Sequence, residues 1–419
     1  MNHRQVYTGV NSYMKGSHPR ITLLGNNSGR NLGDMAIMSS ILESLSKRLP
    51  DAEFYVPTIN PSWVREHYGS RYNVKAINVM PWTLSLRLLG LPTLGCLAKS
   101  DCALICDGII FGKKLFNPAF NYLITLVFLA PLAGLLGCKL VCYSTGIGPF
   151  PSWISKLFAK WTINSCDLVM MRERDSEKLT KEIGVTRPVE LTGDAAFINP
   201  TSSDDTAVEI LREIGLNPDK PILAINATSY LDTWLTNTER LKEPKSFLKL
   251  VSDSVHRAQE AAQEHFQPLV VCTHPMDEAT CRELTELLGG HLITNTKYLS
   301  HDIQAVLRRC GLLVGMRFHS IVLASSVETP VVGLIYAPKV RGYLRLLNCE
   351  DYALELASLN EAFLSSKIAE AWNARSALKA QQQPVIRALK AGAEYAADLL
   401  VSRYYRERSA QISVNPLAN

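Results

Sequence analysis

The chain has 419 residues, of which 47% are hydrophobic and 20% are charged, and this composition excludes a disordered or fibrous protein. A single hydrophobic core rarely grows beyond about 250 to 300 residues, so the length predicts two domains. The formal net charge is only +5, without a block of consecutive Lys and Arg. This argues against nucleic acid as a partner and leaves anionic small molecules or an anionic membrane surface open.

The first half of the chain alternates short apolar runs with amphipathic stretches, a pattern typical of a doubly wound parallel sheet. Helices are expected between the strands, for example over residues 34–48 and 175–183. The expected strands are residues 21–24, 54–56, 74–79, 103–106, 140–144, 168–171 and 189–191.

One apolar segment allows more than one interpretation. Residues 115–138 carry no charged side chain, and the nearly wholly apolar part, 122–137, approaches the length of a membrane helix. Pro131, Gly134 and Gly137 interrupt it, and it continues into the apolar run 139–143, which reads as a buried strand. We therefore expect a helix followed by a strand within a core. A contact with a membrane surface is the second alternative and a membrane span the third.

The second half repeats the pattern after residues 198–206, which are rich in Pro, Ser and Asp and are predicted to be a linker. Its expected strands are 222–225, 269–272, 292–294, 312–314 and 331–335, and its expected helices are 247–264, 277–288, 301–310 and 321–326. Residues 365–406 are predicted to be polar and helical, with a break at Pro384, and the last dozen residues to be frayed. The predicted architecture is α/β, with two Rossmann-like domains (1–200 and 207–364) facing a cleft, followed by C-terminal helices and a tail (365–419).

A glycine-rich loop follows the first strand and opens a helix. It spans residues 25–34 and includes Asn31, Gly33 and Asp34. Glycines allow the backbone to approach a ligand closely, and free N–H groups at a helix start bind anions. The spacing matches neither Gly-x-Gly-x-x-Gly nor a Walker loop. The alternative is an ordinary loop in which Asp34 is the helix N-cap.

Further polar loops follow the later strands of the first half. They contain Asp107, Gly146, Arg174 and Asp194, and Asp175 could cap the helix that follows Arg174. Because the carboxyl ends of parallel strands share one edge of the sheet, these side chains are expected near each other. Each loop could also be a simple turn.

The second half contains two candidate anion-binding positions. His274 follows one strand, but a lone histidine beside a natural helix cap, Asp277, is more often structural. Arg317 and His319 follow the strand 312–314 where a helix begins, so a guanidinium, an imidazole and backbone N–H groups meet there. Lys339 comes just after the strand 331–335 and is expected at the same edge.

Together these motifs resemble the polysaccharide pyruvyl transferases, which move the enolpyruvyl unit of phosphoenolpyruvate onto a sugar as a ketal. The resemblance covers about residues 20–345, and it implies a fold similar to that of GT-B glycosyltransferases with the first domain facing the acceptor. Two positions depart from the family pattern, Met35 and Asp107. The motifs are Asn31-Leu32-Gly33-Asp34, Thr145-Gly146-Ile147-Gly148-Pro149, Arg174-Asp175, Gly193-Asp194-Ala195-Ala196-Phe197, Gly315-Met316-Arg317-Phe318-His319 and Tyr336-Ala337-Pro338-Lys339.

The resemblance also implies roles for these residues. Arg317 would hold an oxyanion of phosphoenolpyruvate, with Lys339 and the N–H groups at Ser320 completing the site. His319 would be the general acid or a ligand of the leaving phosphate, and Asp34, Asp107 or Asp194 the base toward the acceptor, a choice that the sequence leaves open. No metal or cofactor is expected. Further substrate contacts are expected from Asn31, Gly33, Gly146, Arg174 and His274.

Two other functions remain open: a GT-B glycosyltransferase using a nucleotide sugar, with Glu328 as the nearby acid for the ribose, or a non-catalytic glycan-binding partner in polysaccharide assembly. The ten cysteines lie mostly in apolar runs without a Cys-x-x-Cys pair and are predicted to be reduced core thiols. Residues 1–20 lack the apolar region of a secretory signal. These features predict a cytoplasmic enzyme, with peripheral contact to the plasma membrane, a lipid-linked sugar acceptor and the oligomeric state left open.

Overall fold

The computed structural model describes residues 15–118, 120–228 and 244–405. These residues form two compact units: a first unit of residues 15–28, 40–118, 120–195 and 391–405, and a second unit of residues 29–39, 196–228 and 244–390. A division near residue 200 therefore describes most of the chain. Residues 29–39, however, pack with the second unit, and the end of the last helix packs with the first.

The first unit is built on a seven-stranded parallel sheet in the order β3-β2-β1-β6-β7-β8-β9. Its central strands are almost completely buried, which explains their continuous apolar runs. A short antiparallel hairpin, β4–β5, was not predicted. The strands are β1 (Arg20–Leu24), β2 (Glu53–Thr58), β3 (Val74–Asn78), β4 (Ser85–Leu86), β5 (Leu89–Gly90), β6 (Cys102–Ile105), β7 (Lys139–Thr145), β8 (Leu168–Met171) and β9 (Val189–Leu191).

The helices of the first half begin slightly earlier than predicted. Asn31, and not Asp34, caps the first helix, because its Oδ1 accepts a hydrogen bond from the N–H of Gly33 at 2.9 Å. Asp175 likewise lies in the first turn of its helix and does not cap it. The helices are α1 (Leu32–Arg48), α2 (Pro61–Tyr68), α3 (Leu91–Lys99), α4 (Leu123–Leu135), α5 (Trp153–Asn164) and α6 (Arg174–Glu182).

The apolar segment folds as helix α4 followed by strand β7, the order that the sequence predicts. One face of α4 packs into the core through residues such as Leu126, Leu129 and Ala133. The other face is not covered, since Phe128 is 57% exposed and Leu135 is 83% exposed. Within the described residues, no helix combines the length and the apolar character needed to cross a membrane.

The second unit is built on a six-stranded parallel sheet in the order β12-β11-β10-β13-β14-β15. The edge strand β15 was not predicted, because only one of its three residues, Leu354, is fully buried and so short a strand gives no apolar run. The strands are β10 (Ile222–Ile225), β11 (Gln267–Cys272), β12 (His291–Thr294), β13 (Leu312–Gly315), β14 (Val331–Ile335) and β15 (Ala353–Glu355).

The remaining helices surround this second sheet or follow it. The predicted linker is hydrogen-bonded to helix α10, since Asn199 donates to Gln304 and Ser202 donates to Asp302, each at 2.6 Å. The helices are α7 (Asp204–Glu213), α8 (Pro244–Ala261), α9 (Glu278–Leu288), α10 (Ser300–Arg308), α11 (Phe318–Ser326), α12 (Pro338–Leu346), α13 (Glu361–Asn373) and α14 (Arg375–Tyr404).

The predicted helix break at Pro384 is wrong. Pro384 lies inside α14, and the actual break separates α13 from α14 at Ala374. Proline removes one backbone hydrogen bond and clashes with the preceding turn, yet a helix of 30 residues keeps enough other bonds to continue through it. The residues predicted to be frayed lie outside the described part of the chain.

Both sheets contain a point at which the strand order reverses. In the first sheet it lies between β1 and β6, and in the second between β10 and β13. In doubly wound α/β sheets, ligands bind outside the carboxyl ends of the strands at such a switch point. The loops after these four strands are therefore the expected positions of a ligand site.

Candidate functional site

The switch point of the second sheet is organised by Asn226, which directly follows β10 and is completely buried. Its Oδ1 accepts hydrogen bonds from the backbone N–H of Arg317 at 2.8 Å and from the hydroxyl of Ser320 at 3.0 Å. Its Nδ2 donates to the carbonyl of Val271 at 2.8 Å. One amide thus fixes the loop that carries Arg317 and the start of α11. Sequence reasoning missed Asn226, although a polar residue directly after a buried strand was a usable signal.

Arg317 is held in place by a buried carboxylate. Its Nε donates to Oδ2 of Asp277, whose other oxygen accepts from the hydroxyl of Thr228 at 2.8 Å. Asp277 is completely buried, while the Arg317 side chain keeps 19% exposure. Burial alone would lower the pKa of Arg317, but the bond and charge of Asp277 raise it, so the guanidinium stays cationic. Among the described residues, its two terminal nitrogens have no hydrogen-bond partner and are available to a ligand.

Asp277 also shows why its predicted role needs correction. It occupies the N-cap position of α9, as the sequence suggests, but its side chain makes no capping hydrogen bond. The carboxylate points instead to Arg317 and Thr228. A residue that reads as a simple helix cap therefore orients the principal cation of the site.

The later part of the glycine-rich loop, residues 29–34, belongs to this same edge of the second unit. The N–H of Leu32 donates to the carbonyl of Thr273 at 3.0 Å, and Nδ2 of Asn295 donates to the carbonyl of Arg30 at 2.9 Å. Gly33 packs directly on the imidazole of His319, where an added Cβ would overlap the ring. Asn31, Gly33 and Asp34 therefore lie in the second unit, with Gly33 against His319, whereas the sequence predicted them in the first domain.

His274 is kept neutral in this cationic surrounding. Burial lowers its pKa to about 4, helped by the charges of Arg317 and Arg30 and opposed by Asp277. Nδ1 accepts the backbone N–H of Met276 at 3.0 Å, so the proton of the neutral ring is on Nε2. His274 is therefore equipped to donate a hydrogen bond near the two arginines, and it is a poor general acid.

Lys339 is exposed at the start of α12, and its Nζ lies 5.4 Å from the centre of the Phe318 ring. Phe318 packs edge-on against Tyr343, which in turn contacts Phe197. This aromatic cluster joins the start of α11, helix α12 and Phe197 of the Gly-Asp-Ala-Ala-Phe motif. It also explains how Lys339 comes to lie beside the residue that follows Arg317.

The first unit has its own polar cluster at the β1/β6 switch point. Asp107 is buried, has a left-handed backbone with φ of 54°, and accepts the N–H of Asn26 at 2.9 Å. Oδ1 of Asn26 accepts from the hydroxyl of Tyr122 at 3.3 Å, and Arg87 donates to that hydroxyl at 3.2 Å. Asp107 therefore lies at the expected sheet edge, with one carboxylate oxygen bound to the neighbouring loop.

Asp194 forms part of a separate buried ion cluster. Its Oδ2 accepts from Arg172 at 2.9 Å, and both side chains are only 6% exposed. Burial alone would lower the pKa of Arg172. The negative charges of Glu173, Asp194 and Asp107 outweigh this effect and raise the pKa, so the guanidinium remains charged. Gly146 is needed here because a Cβ would lie 2.5 Å from Arg172. Arg174, which was predicted to contact the substrate, is exposed. The buried cation of this edge is Arg172.

The predicted site residues thus fall into two groups, one in each unit. No group of three His, Cys, Asp or Glu side chains in residues 15–118, 120–228 and 244–405 is arranged to hold a metal ion. The second unit contains Asn31, Gly33, Asp34, His274, Arg317, His319, Ser320 and Lys339, and the first contains Asp107, Gly146, Arg174 and Asp194.

Several known proteins are similar to this chain. The amylovoran biosynthesis protein AmsJ of Erwinia amylovora is 23% identical over 394 residues, which cover 83% of this chain and 91% of that protein. The S. aureus MnaA–UDP co-structure aligns with a TM-score of 0.60 at 13% identity, covering 93% of this chain and 96% of the other. A putative UDP-N-acetylglucosamine 2-epimerase from Listeria monocytogenes aligns with a TM-score of 0.59 at 14% identity, covering 95% of this chain and 100% of the other.

The structural similarities establish the fold alone, and they confirm the predicted GT-B-like class with two Rossmann-like domains. The family is established separately. Residues 31–338, well over half of the chain, match the family model described as polysaccharide pyruvyl transferase. The chain therefore belongs to the polysaccharide pyruvyl transferase family.

Proposed function

We propose that this protein transfers the enolpyruvyl group of phosphoenolpyruvate to a sugar of an exopolysaccharide or cell-wall glycan precursor and forms a pyruvate ketal. Family membership supports a transferase role in polysaccharide biosynthesis. The observation that carries the donor assignment is the fixed, charged guanidinium of Arg317, with its two terminal nitrogens available at the β10/β13 switch point.

Phosphoenolpyruvate carries a phosphate and a carboxylate, so its site needs more than one cation and several N–H donors. Arg317 can bind either group through two parallel hydrogen bonds, and the start of α11 adds backbone N–H groups. The Nε2–H of neutral His274 is a third donor. Arg30 and Lys339 supply further positive charge in the same unit. Such a site favours a small dianionic or trianionic donor.

Ketal formation sets clear requirements for proton transfer. C3 of the enol gains a proton and becomes a methyl group, C2 bonds to two sugar oxygens, and the C2–O bond to phosphate breaks. Of the two hydroxyl protons lost by the sugar, one balances the proton at C3 and the other leaves with phosphate. His319, held against Gly33, is the proposed acid toward C3 or the ligand of the departing phosphate.

The position of each candidate carboxylate guides our choice of the base. Asp194 is committed to the buried cation Arg172. Asp107 uses one oxygen to fix the loop after β1. Asp34 follows Gly33, the residue that touches His319, and lies in the same unit. We therefore favour Asp34 as the base toward the acceptor hydroxyl, with Asp107 as the second choice.

The nucleotide-sugar alternative gains no support from Glu328. This residue has a left-handed backbone with φ of 65°, and its carboxylate contacts Lys379 at 3.5 Å and Gln383 at 3.3 Å. A carboxylate that binds a ribose hydroxyl needs its oxygens for that purpose. Glu328 instead fastens the end of α11 to α14.

The proposal can be tested by supplying phosphoenolpyruvate and a lipid-linked oligosaccharide, and measuring inorganic phosphate and the new ketal methyl group by NMR. Arg317→Lys keeps a positive charge beside Asp277 but loses the two-pronged guanidinium, and we expect a loss of phosphate release of about 100-fold or more. The matched control is Arg282→Lys, at an arginine that is 60% exposed on α9.

Two results would contradict the proposal. One is transfer from a UDP- or GDP-sugar with no ketal formed from phosphoenolpyruvate. The other is phosphoenolpyruvate binding that is equally strong in the wild type and in Arg317→Lys, which would place the donor elsewhere. Binding without turnover on any glycan would favour the non-catalytic partner.

A further inference from the structure

The solvent-facing side of α4 is apolar, which is unusual for a surface helix. The helix contains no charged residue, and its single polar side chain, Thr125, is buried and donates to the carbonyl of Tyr122. On the outer side Phe128 is 57% exposed and Leu135 is 83% exposed. A surface helix ordinarily presents polar residues to water. An exposed apolar face of this kind is typical of a contact surface.

Helix α5 continues the same apolar surface. Trp153, Leu157 and Trp161 recur every four residues and are 72%, 51% and 54% exposed. The indole N–H of Trp161 donates to the carbonyl of Val127 at 3.2 Å, which ties α5 to α4. The exposed stripes of the two helices are therefore neighbours.

The β4–β5 hairpin and α3 also pack against α4. Trp82, Leu84 and Leu91 are 72%, 73% and 63% exposed there, and Leu84 and Leu91 line a shallow apolar groove. In the described part of the chain, ten of the fifteen exposed large hydrophobic residues lie between Trp82 and Trp161. We call the surface formed by the hairpin, the start of α3, α4 and α5 the apolar face.

The exposed charged side chains between residues 67 and 166, the part of the sequence that forms the apolar face, are all positive. Between residues 67 and 166 the chain has only two acidic residues, Asp101 and Asp107, and both are buried. Lys114 and Lys156 are exposed, and Lys160 is partly exposed beside the stripe of α5. The apolar face is therefore edged by positive charge without exposed negative charge within this part of the sequence.

We propose that the apolar face docks the first unit onto an anionic phospholipid bilayer. Tryptophan side chains favour the headgroup level, apolar side chains enter the acyl boundary, and lysines attract anionic headgroups. A protein partner fits less well, because lysine is depleted in protein interfaces. With 13 residues, α4 is too short to span a bilayer and would lie in its surface.

This placement would bring the membrane close to the loops of the first sheet. Tyr122, the residue before α4, donates to Asn26 in the loop after β1, and Arg87 of the hairpin donates to Tyr122. The apolar face thus borders the β1/β6 switch point, where Asp107 lies. A glycan carried on a membrane lipid would reach this edge of the first unit without leaving the bilayer surface.

Vesicle cosedimentation of the full chain tests the proposal. We expect binding to vesicles of phosphatidylcholine mixed with phosphatidylglycerol, and weaker binding to phosphatidylcholine alone. Phe128→Ser combined with Leu135→Ser should lower the partition coefficient at least about tenfold, since two apolar side chains no longer enter the bilayer. Its matched control is Leu287→Ser combined with Phe363→Ser, at residues that are 41% and 39% exposed in the second unit.

A charge variant provides an independent check that does not touch the apolar residues. Lys156→Glu should weaken binding to the anionic vesicles, while Lys249→Glu, at an exposed lysine of α8, should not. No vesicle binding by the wild type would overturn the proposal, as would equal losses in the control pairs. A wild-type dimer that Phe128→Ser and Leu135→Ser dissociate, seen by light scattering without vesicle binding, would assign the face to a second copy of the chain instead.

Discussion

Asn226 has no solvent exposure and directly follows a buried strand, yet its amide makes three hydrogen bonds. These bonds fix the backbone of Arg317, the hydroxyl of Ser320 and the carbonyl of Val271. A buried amide with three hydrogen bonds restricts its neighbours to one arrangement. At the scale of single residues, the site therefore depends on uncharged and acidic positioning groups, Asn226 and Asp277, as much as on the cation that they orient.

Gly33 allows a sharp test of the contact with His319. Gly33→Ala adds a methyl group that overlaps the imidazole, so the ring must move, and we expect phosphate release from phosphoenolpyruvate to fall about 100-fold. The matched control is Gly95→Ala, since that glycine also lies in a helix but has open space around its Cα. The control should gain about 0.5–1 kcal/mol of unfolding free energy. Wild-type activity in Gly33→Ala would show that the position of His319 is unimportant.

His274 predicts a pH dependence of stability. Its pKa is lowered to about 4 in the folded protein from an ordinary value near 6.5, so the unfolded chain binds a proton in this range that the native state does not. His274 should therefore destabilise the fold progressively as the pH falls from about 6.5 to about 4. Denaturant unfolding across this range should show a smaller decline for His274→Gln than for the wild type. His265→Gln, at an exposed histidine, is the control, and identical declines in all three proteins would contradict the assignment.

At the scale of helices and strands, prediction succeeded where burial leaves a simple pattern. Strands such as β10 and β13 are buried on both faces, so they read as continuous apolar runs. The hairpin β4–β5 and the edge strand β15 were missed because strands of two or three residues with mixed burial give no such run. The predicted helix starts differ from the observed ones because several polar residues in a row can each cap a helix. Only the hydrogen bond in the structure identifies the capping residue, as for Asn31.

Pro384 gives a prediction for helix α14. It is exposed and lies inside the helix, where a proline removes one backbone hydrogen bond and crowds the preceding turn. Pro384→Ala should restore this bond without loss of core packing, and we expect a gain of about 1–3 kcal/mol in unfolding free energy measured with denaturant. Pro61→Ala is the control, because Pro61 is the first residue of α2, where no intrahelical bond is lost. An unchanged or lower stability of Pro384→Ala would show that the helix has adapted to its proline.

At the scale of the whole molecule, the sequence predicts which residues lie near the site. It does not predict which of them contact each other. The sequence places Arg317, His319 and Lys339 at strand ends, because parallel strands share a polarity. It does not show that Gly33 touches His319 or that Asp277 pairs with Arg317, since both contacts join distant parts of the chain. Residues 29–39 belong to the second unit through such long-range contacts, among them that of Gly33 with His319.

A nucleotide sugar and phosphoenolpyruvate are the two donors that a binding experiment must distinguish. One structure with a similar fold is a UDP co-structure, but a likeness at 13% identity establishes the fold and not the ligand. The second unit instead presents Arg317, neutral His274 and the start of α11, which suit a small anion with two acidic groups. A ligand that binds only the native state raises the unfolding free energy, by about 2.7 kcal/mol at a hundred times its Kd.

We therefore expect phosphoenolpyruvate to raise the melting temperature of the wild type, while UDP-N-acetylglucosamine and GDP-mannose leave it unchanged. Inorganic phosphate at the same concentration should give a smaller shift, because it cannot engage a carboxylate site as well. Arg317→Lys should lose most of the phosphoenolpyruvate shift, and Arg282→Lys should keep it. A shift with the nucleotide sugars that survives Arg317→Lys would place their binding away from the Arg317 edge and would favour a glycosyltransferase.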